Sequence, residues 1–200
     1  MKGIVFTEFL DHVEATFDAD MVDAIIDASD LPSGGVYTAV GTYDHAEIVA
    51  LASALCQRTD QAMADVIHNF GVYLGGRFTE KFRPFFEEQG TFFDFLGTVE
   101  NYIHVEVRKL YPDAQLPSIV LLEHDGTRGK VLYRSPRGMD DLAAGLINAS
   151  ASYYGDDLVV EREHGVDDQG PFTLFSVVRL AKDQTSVDLL AGDLTERDAA

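Results

Sequence analysis

Apolar residues recur at helical spacing through the first half of the chain and in short β-branched runs through the second. Ile4, Phe6, Leu10, Val13 and Phe17 mark a first helix. Met21, Val22, Ile25 and Ile26 mark another, ended by the breaker cluster Leu31-Pro32-Ser33-Gly34-Gly35. Asp44 followed by Glu47 has the form of an N-cap with its third-position partner and opens a helix through Cys56. Asp60 is placed to cap the next, which carries Val66, Ile67, Phe70 and Leu74. Gly75-Gly76 is expected to break or kink that helix, and a shorter one is expected over Phe78 to Phe86, disturbed by Pro84. Phe92 to Tyr111 reads as the longest helix, stopped by Pro112.

Past Pro112 the period changes. Ser118 to His124 is β-branched and apolar, Asp125-Gly126 is a turn signal, and Lys130 to Ser135 completes a hairpin. Asp140 to Tyr154 reads as a helix ending at Gly155. Leu158 to Glu163, a turn at Asp167-Asp168-Gln169-Gly170, and Phe172 to Leu180 form a second hairpin. Helices followed by antiparallel strands predict an α+β fold: a helical N-terminal lobe, then a four-stranded antiparallel sheet with one inserted helix. Residues 183–200 are acidic and weakly patterned, and are expected to form a frayed or disordered tail. There is no internal repeat and no low-complexity segment.

Composition narrows the function. The chain has 200 residues, one cysteine and a formal net charge of −19, a length that suits one domain, divisible into two lobes. So acidic a chain is a poor nucleic-acid or anionic-membrane binder, since phosphate recognition needs Lys and Arg. No apolar run is long enough to span a bilayer, and Glu8 and Asp11 break the opening run, so no signal peptide is expected. The expectation is a cytoplasmic protein. Cys56 excludes an internal disulfide framework and any Cys-rich metal site, and beside Leu55 it reads as packing rather than redox chemistry. The charge is uneven: residues 104–137 hold six basic and four acidic side chains, net +2. That segment is either an exposed hairpin with solvated cations or a local site for something anionic.

Two constellations carry candidate chemistry. His104 lies late in the long apolar helix, with Glu100, Gly97 and Phe93 behind it along one face. A neutral imidazole there suits an axial ligand of haem iron. Gly97, at a cost of about 1 kcal/mol against alanine in a helix, suggests that something needs room. The second constellation is Tyr133, Ser135 and Arg137. In an extended chain these alternate residues project together, offering two hydroxyls and a guanidinium that suit a pair of carboxylates, such as the two propionates of haem. Alternatively, Tyr133 packs, Ser135 starts a turn and Arg137 is solvated. No metal-binding His-Glu-x-x-His, nucleophile elbow, P-loop or dinucleotide fingerprint is present.

Together these features resemble the haem nitric-oxide/oxygen-binding (H-NOX) family, related to the sensory domain of soluble guanylate cyclase. The resemblance rests on Ile103-His104-Val105-Glu106-Val107-Arg108-Lys109-Leu110-Tyr111-Pro112, then Leu116-Pro117, then Tyr133-x-Ser135-x-Arg137 followed by Gly145-Leu146. It runs from Met1 to about Lys182, with a helical lobe over about residues 1–112 and a sheet lobe over about 113–182. It implies haem b (iron protoporphyrin IX) held between the lobes. His104 would be the proximal iron ligand, and Tyr133, Ser135 and Arg137 the propionate clamp. Pro117 would be a stiff wedge against the macrocycle, and Phe78 and Leu146 apolar walls.

The distal gas pocket implied by the resemblance is Val5, Phe9, Leu74 and Leu142. None of the four donates a hydrogen bond. Bound dioxygen gains from a donor, whereas NO and CO need one much less. The expectation is therefore NO and CO binding with no stable ferrous dioxygen complex. With no output domain or catalytic motif, the chain is expected to be a sensor and not an enzyme. By resemblance it would signal in trans to a histidine kinase or a cyclic-di-GMP enzyme. Two other readings are an NO-scavenging haem protein and a haem-free module for an apolar ligand.

Overall fold

The first helix, α1 (Gly3–Thr16), buries Phe6, Phe9 and Val13 on its apolar stripe. The structure is a computed structural model and describes residues 1–181; the expected tail lies outside them. Six further α-helices complete the first part: α2 (Ala19–Asp27), α3 (His45–Thr59), α4 (Met63–Lys81), α5 (Arg83–Glu87), α6 (Phe92–Thr98) and α7 (His104–Leu110). The second part runs β1 (Ser118–His124), β2 (Arg128–Arg134), α8 (Asp140–Tyr153), β3 (Leu158–Asp167) and β4 (Gly170–Arg179). The four strands form one antiparallel sheet in the order β1-β2-β4-β3. The α+β architecture is the one the sequence pattern predicts.

Several helix boundaries differ from the sequence expectation. Asp60 ends α3 rather than opening α4, adopting a left-handed conformation (φ 57°) with its N–H on the Cys56 carbonyl. Asp44 does cap α3, through Ala46 N. Glu47, however, does not reach back to Asp44. It is buried and instead accepts from Tyr37 Oη (3.0 Å) and from the Ser33 amide and hydroxyl, pinning the preceding loop. Gly75-Gly76 does not break α4, which runs uninterrupted to Lys81 and includes Phe78. The short helix is therefore α5, with Pro84 in its first turn, where a missing N–H costs nothing. The expected long helix from Phe92 is three segments: between α6 and α7, Val99–Ile103 form a π-helical turn, and the His104 N–H bonds Val99 O five residues back. Such a turn inserts one residue into the helix and re-aims the segment after it.

Two main cores form. One joins α1 to α4 around Phe6, Phe9, Leu51, Phe70 and Leu74, and takes in Leu142 of α8. The other packs Phe92, Phe93 and Leu96 with Ala143, Ala144 and Ile147 of α8 on the inner sheet face formed by Val131, Tyr133, Phe175 and Val177. Helix α8 thus lies between both cores, and three glycines set its approach to α4. A β-carbon on Gly145 would stand 2.2 Å from His68 O, one on Gly71 2.5 Å from Leu142 O, and one on Gly75 2.4 Å from Ala149 Cβ. Gly97, expected to make room beside His104, is exposed, and a β-carbon there would meet only Leu121, at 3.9 Å.

Glu8, whose charge breaks the apolar pattern of the opening run, does not face solvent. It is 1% exposed and is held by Arg77 Nε (3.0 Å) and Lys81 Nζ of α4, both only partly shielded. Removing both cations should strand a buried carboxylate. Arg77→Met with Lys81→Met should therefore cost on the order of 3 kcal/mol in urea unfolding. Glu8→Gln should cost less, since its half-exposed partners return to water. A double variant as stable as the parent would show that the Glu8 carboxylate reaches solvent.

Candidate functional site

His104 opens α7 directly after the π-helical turn and is 8% exposed. Its Nδ1 lies 3.3 Å from Glu100 Oε2. The same carboxylate oxygen accepts from the backbone N–H of Ile119, the second residue of β1, at 3.0 Å, and Arg108 stands 3.6 Å from the other oxygen. Glu100 therefore links the π-turn to the sheet and orients the imidazole. Burial pushes the His104 pKa down, with Glu100 opposing and Arg108 adding to the shift. A neutral imidazole is the ligating form, and a carboxylate on Nδ1 fixes the tautomer and leaves Nε2 as the ligand nitrogen. Nε2 has no hydrogen-bond partner among the described residues. This donor set fits a metal in the axial position of a haem.

The apolar residues named from the sequence are brought together. Phe9, Leu74 and Leu142 are buried in one cluster, with Val5, Phe78 and Leu146 packed against it half-buried. Phe78 also packs on a small second cluster with Val99, Ile103 and Ile119, and so connects this apolar region to the helix turn before His104. Met139, 6% exposed and one residue before α8, belongs to the same cluster as Leu142 and is missed by the sequence pattern. Its only signal is its position three residues before Leu142. Of Val5, Phe9, Leu74, Phe78, Met139, Leu142 and Leu146, none has a side chain that donates a hydrogen bond.

Tyr133, Ser135 and Arg137 do not share one extended face. The strand ends at Arg134, so only Tyr133 lies on it, and Ser135 and Arg137 belong to the turn beyond it. Ser135 Oγ accepts from the Arg137 N–H (3.2 Å), and Gly138 completes the turn at φ +61°. Tyr133 is 5% exposed on the inner sheet face, and burial pushes its phenol pKa up, with Ser135 and Arg137 opposing. Arg137 donates to the backbone and side-chain oxygens of Gln115 at 2.8 and 3.3 Å. That tie joins the turn to the Leu116-Pro117 stretch, in which Pro117 is half-buried and immediately precedes β1. Arg137 lines a cavity of about 430 Å³ with Lys2, Asp44 and Asp113, whereas Tyr133 and Ser135 line another of about 400 Å³ with Asp140 and His164. His104 lines neither. The strand end at Tyr133 and the turn after it nonetheless offer two hydroxyls and a guanidinium within a few residues, a donor set suited to carboxylates.

Among the described residues no group of three or more His, Cys, Asp or Glu could hold a free metal ion, and no helix is long and apolar enough to cross a membrane. A single buried histidine therefore suits an iron held mainly by its macrocycle.

Comparison with known proteins agrees. None of the curated proteins matches this chain. Among solved structures, the unliganded Fe(II) H-NOX protein of K. algicida, as a point mutant, is 35% identical. That match covers 91% of this chain and 98% of that one, with a TM-score of 0.83. The H-NOX protein of S. oneidensis in its Fe(II)NO state is 22% identical over 90% of this chain and 100% of that one, TM-score 0.82. A point mutant of the T. tengcongensis H-NOX is 20% identical over 90% and 98%, TM-score 0.79. The family model described as Haem-NO-binding matches residues 2–162. This chain belongs to the haem-NO-binding (H-NOX) family of haem-containing gas-sensor domains.

Proposed function

We propose that the chain senses nitric oxide at a ferrous haem b ligated by His104 and passes the signal to a separate protein. The observation that carries this is the buried His104 imidazole, held at Nδ1 by Glu100 with Nε2 left unpartnered and apolar residues on the neighbouring elements. The haem, when bound, would supply a ferrous iron able to bind the diatomic gas, and His104 would hold that iron.

The protein's own residues do the rest. Tyr133, Ser135 and Arg137 hold the propionates. Phe78 and Leu146 wall the ring, and Pro117, with its fixed φ, presses on it. Val5, Phe9, Leu74 and Leu142 surround the gas without offering a donor. Lacking a donor forfeits about 1–3 kcal/mol for a polarised ligand such as dioxygen, or roughly tenfold to a hundredfold in affinity. NO and CO lose much less.

Signalling needs two states that the gas binds differently. The Glu100 carboxylate joins His104 to the β1 backbone at Ile119. A change in how firmly His104 is held therefore reaches the sheet through one hydrogen-bonded side chain. The helical lobe, about residues 1–112, would then shift against the sheet lobe, about 113–182. The receiver, by family resemblance a histidine kinase or a cyclic-di-GMP enzyme, would meet a strongly anionic surface that favours a basic partner face.

Electronic spectra of the ferrous protein with NO, CO and air test this reading. Both NO and CO should shift the Soret band, and air should give no stable oxy form. A persistent oxy spectrum would overturn the assignment of the donor-free pocket.

A further inference from the structure

Lys2 stands one residue before α1, the helix that carries Val5 and Phe9. Its backbone pairs with Thr42 in an isolated antiparallel bridge, and the Gly3 N–H bonds Gly41 O at 2.8 Å. The side chain does not extend into solvent. It is 12% exposed and reaches the connection between α7 and β1. Its Nζ donates to Thr42 Oγ1 at 2.9 Å and to both carboxylate oxygens of Asp113 at 3.4 Å. The same ammonium lies 4.9 Å from the centre of the Tyr111 ring, within cation–π range. Thr42 Oγ1 in turn donates to Asp113 at 2.6 Å, and Thr42 and Lys2 together hold the Asp113 carboxyl below the usual carboxylate range.

What this cluster grips leads straight to the candidate iron ligand. Tyr111 caps the C-terminus of α7, its N–H on Val107 O at 2.8 Å, and its carbonyl accepts from the Ala114 N–H at 2.9 Å. His104 opens the same helix. Beyond Ala114, Gln115 is held by Arg137, and Pro117 leads into β1. A helix of seven residues is far below the length at which a helix is stable alone, so what holds its ends fixes its place. Glu100 holds the His104 end through Ile119, and Lys2 holds the Tyr111 end.

We infer that Lys2 is a positioning residue for gas binding: through Tyr111 and Asp113 it holds α7, and with it His104, against the shift that NO drives.

The inference rests on His104 as the iron ligand. Lys2 and Thr42 belong to the helical lobe and Asp113 opens the sheet lobe, so a shift of one lobe against the other must lengthen these bonds. An interaction made in one state only shifts the equilibrium by its own free energy. On the proposed reading NO loosens the hold on His104. The Lys2 cluster opposes that loosening, and by linkage its removal tightens NO.

The haem-loaded ferrous protein tests this with NO as the probe. Lys2→Met keeps the apolar stem and removes the ammonium. NO dissociation, read with a trapping agent, should slow about three- to fivefold, the worth of a pair near the upper end of exposed ion pairs. Asp113→Asn should slow it in the same direction. The double variant should do no more than the larger single effect, because the two groups share one interaction. Lys2→Arg keeps the charge and should restore the parent rate. Amide hydrogen exchange in the gas-free protein should quicken from Val107 to Tyr111 in Lys2→Met but not in Lys2→Arg. An unchanged NO dissociation rate, additive single effects or unaltered exchange along α7 would each overturn the inference. Exchange reports the hold of Lys2 on α7 whatever ligates the iron. A failed Lys2 tie therefore leaves the histidine-dependent Soret spectrum intact, whereas a failed His104 assignment removes that dependence.

Discussion

Replacing His104 by glycine should abolish the iron–histidine bond, and with it the ferrous Soret spectrum of the parent. The imidazole is buried, and its Nδ1 is occupied by Glu100, so Nε2 alone is left to bind metal. Free imidazole, added to the glycine variant, should enter the vacated space and restore a ligated spectrum without restoring the covalent link to α7. Glu100→Gln provides the graded control. An amide still bonds the ring but cannot polarise it as a carboxylate does, and the loss of such an outer partner lowers affinity about 10–100-fold. Haem titration of the apoproteins, read with circular dichroism to verify folding, separates the cases. A glycine variant that keeps the parent spectrum would exclude His104 as ligand.

That His104 stands out in the sequence as a candidate ligand follows from its surroundings. It is a lone imidazole in an apolar helix with a carboxylate one turn back, and i, i+4 neighbours meet on a helix whatever the rest of the fold does. The strands are legible for a similar reason. Pro112, Asp125-Gly126 and the turn at residues 167–170 bound β-branched runs whose pairing needs only short hairpins. The features that escape such a reading depend on contacts far away in sequence. Gly75-Gly76 reads locally as a breaker, yet α4 continues because Gly75 faces Ala149 across a close helix contact. Glu8 reads as a surface acid until Arg77 and Lys81 arrive from about seventy residues away. The π-turn before His104 has no sequence signature, and the turn that gathers Ser135 and Arg137 reads as strand. The pocket residues, spread from Val5 to Leu146, are linked by no local pattern; family resemblance alone groups them, and their roles at the haem are part of the proposed function.

The glycines of the α4–α8 contact carry the second large effect. Gly145→Ala should destabilise the protein by about 3 kcal/mol, because overpacking costs about 1–3 kcal/mol and the added methyl meets backbone on three sides. It would stand 2.2 Å from His68 O, 2.8 Å from Gly71 Cα and 2.8 Å from Val72 N, none of which can rotate away. At about 2–4 °C per kcal/mol for a chain of this size, the melting temperature should fall by about 6–12 °C. Gly76→Ala is the internal contrast: it lies in the same contact's other helix, α4, with nothing within 4 Å of its β-carbon, and should stabilise by about 0.5–1 kcal/mol through helix propensity. The two substitutions add the same atom, so their difference isolates the close approach. The damage at Gly145 should also reach the site. Helix α8 holds Leu142 and Leu146 in one core and Ala143, Ala144 and Ile147 in the other. A methyl wedge at Gly145 must move one set or the other, and haem affinity should fall with stability. If Gly145→Ala melts within a degree of the parent, the two helices are further apart than the contact distances give. The coupling of pocket and sheet through α8 would then have no physical basis.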